Sequence, residues 1–190
     1  MSASRLGLGI AWLASSLLLG ACSNFPARAP SEAASASASA QQALQGQLSI
    51  KLQAFQNLPA KGISLGFFFN GTRQGGQLDL MTPMGSQVAQ VRWTQAGTWL
   101  LTEQGERRFD TLSELSQEVL GEALPLSALM HWVQGEPDPD LPAPTITTAQ
   151  SFEQVGWRID TTEIGIGRLS AQREDTQTQR GVTVRVRLDR

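Results

Sequence analysis

Cysteine is nearly absent from this 190-residue chain: Cys22 is the only one. No disulfide can therefore form within the chain, and a lone thiol needs some other explanation. Histidine is as scarce, with His131 alone, so a zinc site would have to be built mostly from carboxylates, which zinc proteins seldom do. Nor does His131 accompany a recognisable nucleophile motif, and catalysis is not expected. Charged residues make up only 17% of the sequence and the formal net charge is −2, so the clustered basic surface of a nucleic-acid binder is not expected. Tyrosine is missing altogether, whereas tryptophan occurs 5 times. Large rings without polar decoration belong either to a small aromatic core or to apolar surface with a purpose.

The N-terminus is rich in what the rest lacks. One positive charge at Arg5 precedes the apolar segment LGLGIAWLASSLLLG, too short for a membrane span and ending in small residues. This is the pattern of a secretory signal peptide, assigned to residues 1–21. It closes on Leu19-Gly20-Ala21-Cys22, which resembles a bacterial lipobox. In such a sequence the cysteine is acylated and becomes the first residue of the mature protein, which accounts for the lone thiol. By resemblance to bacterial sorting rules, Ser23 after it favours the outer membrane. Residues 22–43 alternate Ala and Ser after early prolines and read as a lipidated tether.

From Leu44 onward the period is two. Leu48, Ile50 and Leu52 alternate with polar residues, as do Ile63, Leu65, Phe67 and Phe69, then Leu78 and Leu80, then Ala89, Val91 and Trp93, and at the end Val182 to Leu188. Such strands bury one face and wet the other. The connections NGTRQGG, TQAGT and TEQGER suit hairpins. Phe67, Phe68 and Phe69 in succession put rings on both faces of one strand, so one face should meet the helices or a ligand. Between strands, Leu112, Leu115, Val119 and Leu120 have helical spacing, with Thr111 and Glu114 placed as a capping box and Gly121 as the C-cap. A second helix is expected from about Pro125 to Val133. Asp138 and Asp140, flanked by prolines, read as a solvated turn. The fold expected over 44–190 is mostly β with helices: an antiparallel open half-barrel whose helical lid encloses either a hydrophobic cavity or a solid core.

One turn is unusual. Thr82-Pro83-Met84-Gly85-Ser86 has the proline and glycine of a turn, yet carries a long apolar side chain between them. It either points outward or folds back onto the sheet edge.

The lipobox, LDLMTPMGS, RFDTLSELSQEVLGEALPLSALMHWVQGEP and FEQVGWRID together resemble the LolB family of outer-membrane lipoprotein receptors. The resemblance covers roughly Leu44 to Leu188. It implies a half-barrel capped by helices around an acyl-chain cavity. It also implies an outer-membrane protein anchored through Cys22, facing the periplasm, that takes acylated lipoproteins from the periplasmic carrier LolA and inserts them into the outer membrane. A loop residue between Pro83 and Gly85, usually leucine and here Met84, would enter the membrane. Residues expected to line the cavity are Leu48, Ile50, Leu65, Phe67, Trp93, Trp99, Leu129 and Trp132. No cofactor, metal or nucleic-acid partner is expected, and the protein is expected to be a monomer. A phospholipid carrier of similar fold and an assembly lipoprotein docking a protein partner are the competing readings.

Overall fold

The computed structural model describes residues 42–72 and 74–189. The expected signal peptide, Cys22 and most of the tether lie outside them. Eleven strands form one antiparallel sheet: β1 Gln42–Leu52, β2 Lys61–Gly71, β3 Gly76–Met81, β4 Gln87–Thr94, β5 Gly97–Thr102, β6 Gly105–Phe109, β7 Thr145–Thr148, β8 Ser151–Gln154, β9 Trp157–Asp160, β10 Arg168–Arg173 and β11 Val182–Leu188. Their order in the sheet is β6-β5-β4-β3-β2-β1-β11-β10-β9-β8-β7. Two meanders thus meet where β1 pairs with both β2 and β11. The sheet does not close on itself; β6 and β7 are its edges. The chain passes from one edge to the other through α1 Leu112–Leu120 and α2 Leu126–Trp132. Among the described residues no helix is long and apolar enough to cross a membrane.

Register explains which side chains meet. Leu48 lies between Leu65 of β2 and Val186 of β11, and Ile50 between Ile63 and Val184. Phe69 pairs with Leu78, and Leu78 with Val91. One face of the sheet therefore collects the apolar residues. The buried residues of both helices, Leu115, Ala128, Leu129 and Trp132, join the same core as Ile50, Phe67, Trp93 and Val184. Gly46 lies against the β11 backbone: a β-carbon there would be 2.0 Å from the Arg187 carbonyl oxygen. Two hairpins share a device. Thr94 and Thr102 hydroxyls accept the backbone N–H two residues on, from Ala96 at 3.1 Å and Gln104 at 3.3 Å. These are the local side-chain bonds that favour turns over continued strand.

The helix ends follow the sequence expectation. The Thr111 hydroxyl accepts the Glu114 N–H at 3.0 Å, while the Glu114 carboxylate reaches back to the Asp110 N–H at 2.8 Å. Gly121 ends α1 with its N–H bonded to the Gln117 carbonyl. The Pro-rich segment departs from expectation. Asp138 is buried, and its Oδ1 accepts the Asp140 N–H at 3.0 Å. The cause is Gln154, itself buried, whose amide bonds the Asp138 N–H, the Asp138 carbonyl and the Pro142 carbonyl. Those bonds hold the loop down as a packed corner.

Candidate acyl-chain site and protruding loop

Between the sheet and the two helices lies a pocket of about 90 Å³. The strands contribute Leu44, Leu48, Phe67, Phe69, Leu78, Trp93 and Val186. The lid contributes Leu112, Leu126, Leu129, Met130 and Val133. No polar side chain lines it, apart from the indole nitrogen of Trp93, which donates to the Thr72 carbonyl at 3.2 Å. The Phe69 and Trp93 rings stack in parallel with centroids 5.8 Å apart, so part of the wall is flat and rigid. Larger hollows exist, but on the other face of the sheet. One of about 630 Å³ is lined by Phe68 and Trp99 together with Asn70, Gln77 and Arg92, so polar groups interrupt its wall as they do not under the lid.

Of the residues expected to line a cavity, Leu48, Phe67, Trp93 and Leu129 come together here. Ile50 is buried in the core beside the pocket, without lining it. Leu65 is half-buried and lines a separate recess beneath the Thr82–Ser86 loop. Trp132 is fully buried, and its indole nitrogen donates to Gln154 Oε1 at 3.0 Å. With Trp157 at 6.0 Å, it pins the end of α2 to the sheet. Trp99 is a correction. The hairpin register places Thr98 opposite Trp93 and Trp99 opposite Arg92, so Trp99 faces away from the lid. The same parity splits the phenylalanine run: Phe67 and Phe69 face the lid, and Phe68 is exposed on the other side. Leu44, Phe69, Leu78 and Val186 were absent from the sequence expectation. Their signal was the strand pairing, since each lies across from a residue that was included or shares its face.

The lid is tied down at several points. Ser116 Oγ accepts the Leu124 N–H at 2.8 Å and fixes the link between the helices. Glu122, just beyond α1, forms an ion pair with Arg173 of β10, whose guanidinium also lies 5.4 Å above the Trp157 ring. Arg107 and Glu118 form an exposed pair at 2.9 Å, which contributes little.

The turn between β3 and β4 is built to project. The Thr82 N–H donates to the Ser86 carbonyl at 2.8 Å, the Gly85 N–H to the Thr82 carbonyl at 2.9 Å, and the Ser86 N–H to the Thr82 hydroxyl at 3.2 Å. Gly85 has φ 86°, a left-handed conformation that glycine adopts without steric cost. Met84 is 96% exposed, so it does not fold back onto the sheet. Among the described residues no group of three or more His, Cys, Asp or Glu side chains is placed to hold a metal. The one perturbed acid among the described residues is Asp160 on the outer face, held below its ordinary value by the Thr162 hydroxyl and backbone N–H against an opposing effect of burial.

A family model described as outer membrane lipoprotein LolB matches residues 40–186. The chain belongs to the LolB family. Named relatives agree. The outer-membrane lipoprotein LolB of Chromobacterium violaceum is 30% identical over 147 residues, covering 77% of this chain and 78% of that one. The Bordetella petrii protein of the same name is 31% identical over 186 residues, covering 92% and 89%. That of Ralstonia nicotianae is 39% identical over a shorter stretch, 44% of this chain and 42% of its own. Family membership and architecture thus coincide: a LolB-family chain with an open antiparallel half-barrel and two helices over its apolar face.

Proposed function

We propose that this protein accepts acylated lipoproteins from the periplasmic carrier LolA, holds their acyl chains between sheet and lid, and inserts them into the outer membrane, where it is itself anchored through Cys22. The observation that carries this reading is the apolar pocket under the helices. An acyl chain of about sixteen carbons, at roughly 0.8 kcal/mol per methylene, costs on the order of 12 kcal/mol to leave in water. Free diffusion between two membranes is then negligible, and cargo must pass from one apolar host directly to the next. An all-apolar wall binds the chain without fixing its orientation or length. It also lets the chain go once a bilayer is offered.

At about 90 Å³ the pocket is well below the roughly 300–1,000 Å³ of ordinary ligand sites, so loading requires the lid to move. Without cargo, the lid stays down because Leu112, Leu126 and Met130 would otherwise meet water. With cargo, the acyl chain takes the place of those contacts. Met84 supplies the route to the bilayer. Burying one such side chain is worth about 1.5–3 kcal/mol, enough to bias the loop into lipid and weak enough to be reversible.

The test is reconstituted transfer: LolA loaded with an acylated lipoprotein, this protein, and liposomes. Passage of the lipoprotein to this protein and then to the liposomes is expected. Binding of phospholipid with no uptake of lipoprotein from LolA would contradict the proposal and favour a lipid carrier of similar fold.

A further inference from the structure

The outer face of the sheet carries a second feature. Residues in register share a face, and one row of paired residues runs from the foot of the protruding loop across five strands: Met81, Gly66, Gln47, Arg187 and Arg168. The next row contains Ser64, Ser49, Arg185 and Ser170. At about 4.8 Å per strand, Arg187 lies roughly 14 Å from Met81. The loop leans over this same face. Pro83 and Gly85 line a recess together with Gln47 and Ser64, and Gln47 and Ser64 also line the adjoining groove that contains Arg168, Arg185 and Arg187.

Charge on this face is mixed: Arg168, Arg185 and Arg187 line the groove with Asp160 and Glu163, and Asp189 lines the recess under the loop. Arg168 is partly neutralised by Glu163 at 3.5 Å, and Arg158 by Glu153 at 3.2 Å. Asp160 and Glu163 also line the groove, and the Asp160 carboxylate turns to the Thr162 N–H at 2.9 Å. Arg185 and Arg187 are exposed and have no ion pair among the described residues. Lys51 is exposed on the same face, with Thr183 as its β11 neighbour. Arg185, Arg187 and Lys51 thus stand solvated on the face over which the loop leans, with Asp189 as the exposed acid nearest the loop.

We propose that this arginine-bearing band, through the unpaired Arg185 and Arg187, docks on the phosphate-bearing surface of a lipid bilayer containing anionic headgroups, laying the outer face of the sheet toward the membrane while Met84 enters it. The proposal rests on the reading that the loop meets a bilayer, and it needs no cargo. A single methionine sets contact but not orientation. A second contact some 14 Å away fixes the tilt of the sheet relative to the membrane. Each Arg or Lys close to an anionic membrane contributes roughly fivefold in binding, and only within a Debye length of about 8 Å, so the arginines act once the loop has brought the face down.

The experiment uses the whole mature chain carrying Cys22→Ala, so that an acyl anchor does not dominate, and measures binding to phosphatidylcholine vesicles with and without phosphatidylglycerol. Preference for the anionic vesicles is expected, falling about fivefold for each of Arg185→Gln and Arg187→Gln, weakening with added salt, and surviving Arg187→Lys. Equal binding to both vesicles, or a preference unchanged in the double glutamine variant, would overturn the proposal. Met84→Ser separates it from the reading beneath it. That variant should weaken binding to both vesicles and leave their ratio intact. If Met84→Ser changes nothing while the arginine dependence persists, the loop reading fails and the band stands alone.

Discussion

Met84 and Gln154 illustrate two ways in which a single side chain acts. Met84 makes almost no contact with the rest of the fold, being 96% exposed at the tip of a turn braced by Thr82. Its replacement should therefore leave stability unchanged and alter only what the tip touches. Met84→Glu is expected to accept lipoprotein from LolA normally and to deliver little of it to liposomes, because a carboxylate resists leaving water; unaltered delivery would contradict the proposed role of the tip. Gln154 is the reverse case. Its side chain accepts from Trp132 and the Asp138 N–H and donates to the Asp138 and Pro142 carbonyls, all in the buried corner. Gln154→Leu strands several of those groups and should cost about 1–3 kcal/mol, read as a lower urea midpoint with unchanged slope. The sequence made the first residue visible, because proline and glycine mark a turn whatever lies around them. It hid the second, because nothing near Gln154 indicates which groups 12 to 22 positions away will face it.

Helices α1 and α2 were legible for the same local reason. A threonine, a glutamate three residues on and a terminal glycine specify where α1 begins and ends within one stretch of chain. Thr111→Ala removes the hydroxyl that accepts the Glu114 N–H and should cost about 1 kcal/mol of stability. Strand alternation was legible too, but not its phase from one strand to the next. Trp93 and Trp99 both looked inward-facing, and only the β4–β5 register, with Thr98 opposite Trp93, turns Trp99 outward. The placing of β1 between β2 and β11 depends on contacts more than a hundred residues apart, which periodicity does not encode. The lid's attachment is of this long-range kind. Arg173 of β10 pairs with Glu122 beyond α1, and both side chains are largely buried. Arg173→Met leaves Glu122 without its partner in a low-dielectric site and should cost about 3 kcal/mol. Hydrogen exchange should then quicken in α1 and the α1–α2 link before it does in β1 and β11; uniform acceleration would mean that the pair does not act as a latch.

For the molecule as a whole, the open sheet and its lid make one apolar interior, and the proposed function asks it to take two states. This structure has a pocket of about 90 Å³ whose apolar walls come from both sheet and lid. A loaded state, as proposed, would require α1 and α2 to lift while an acyl chain fills the space, so the lid would be held by the same side chains that line the opened cavity. On the proposed function, such a transfer needs no energy source. Each host offers hydrocarbon a place at least as favourable as the last, and the 12 kcal/mol or so of exposing a chain to water is never incurred in transit. The most direct measurement places a photo-crosslinking residue at Leu78, inside the pocket, and separately at Trp99, on the opposite face, and loads each variant with acylated lipoprotein from LolA. The account predicts crosslinks to the acyl chains from position 78 and none from position 99. Crosslinks from position 99 alone, or none from position 78 in a variant shown to have taken up cargo, would contradict it.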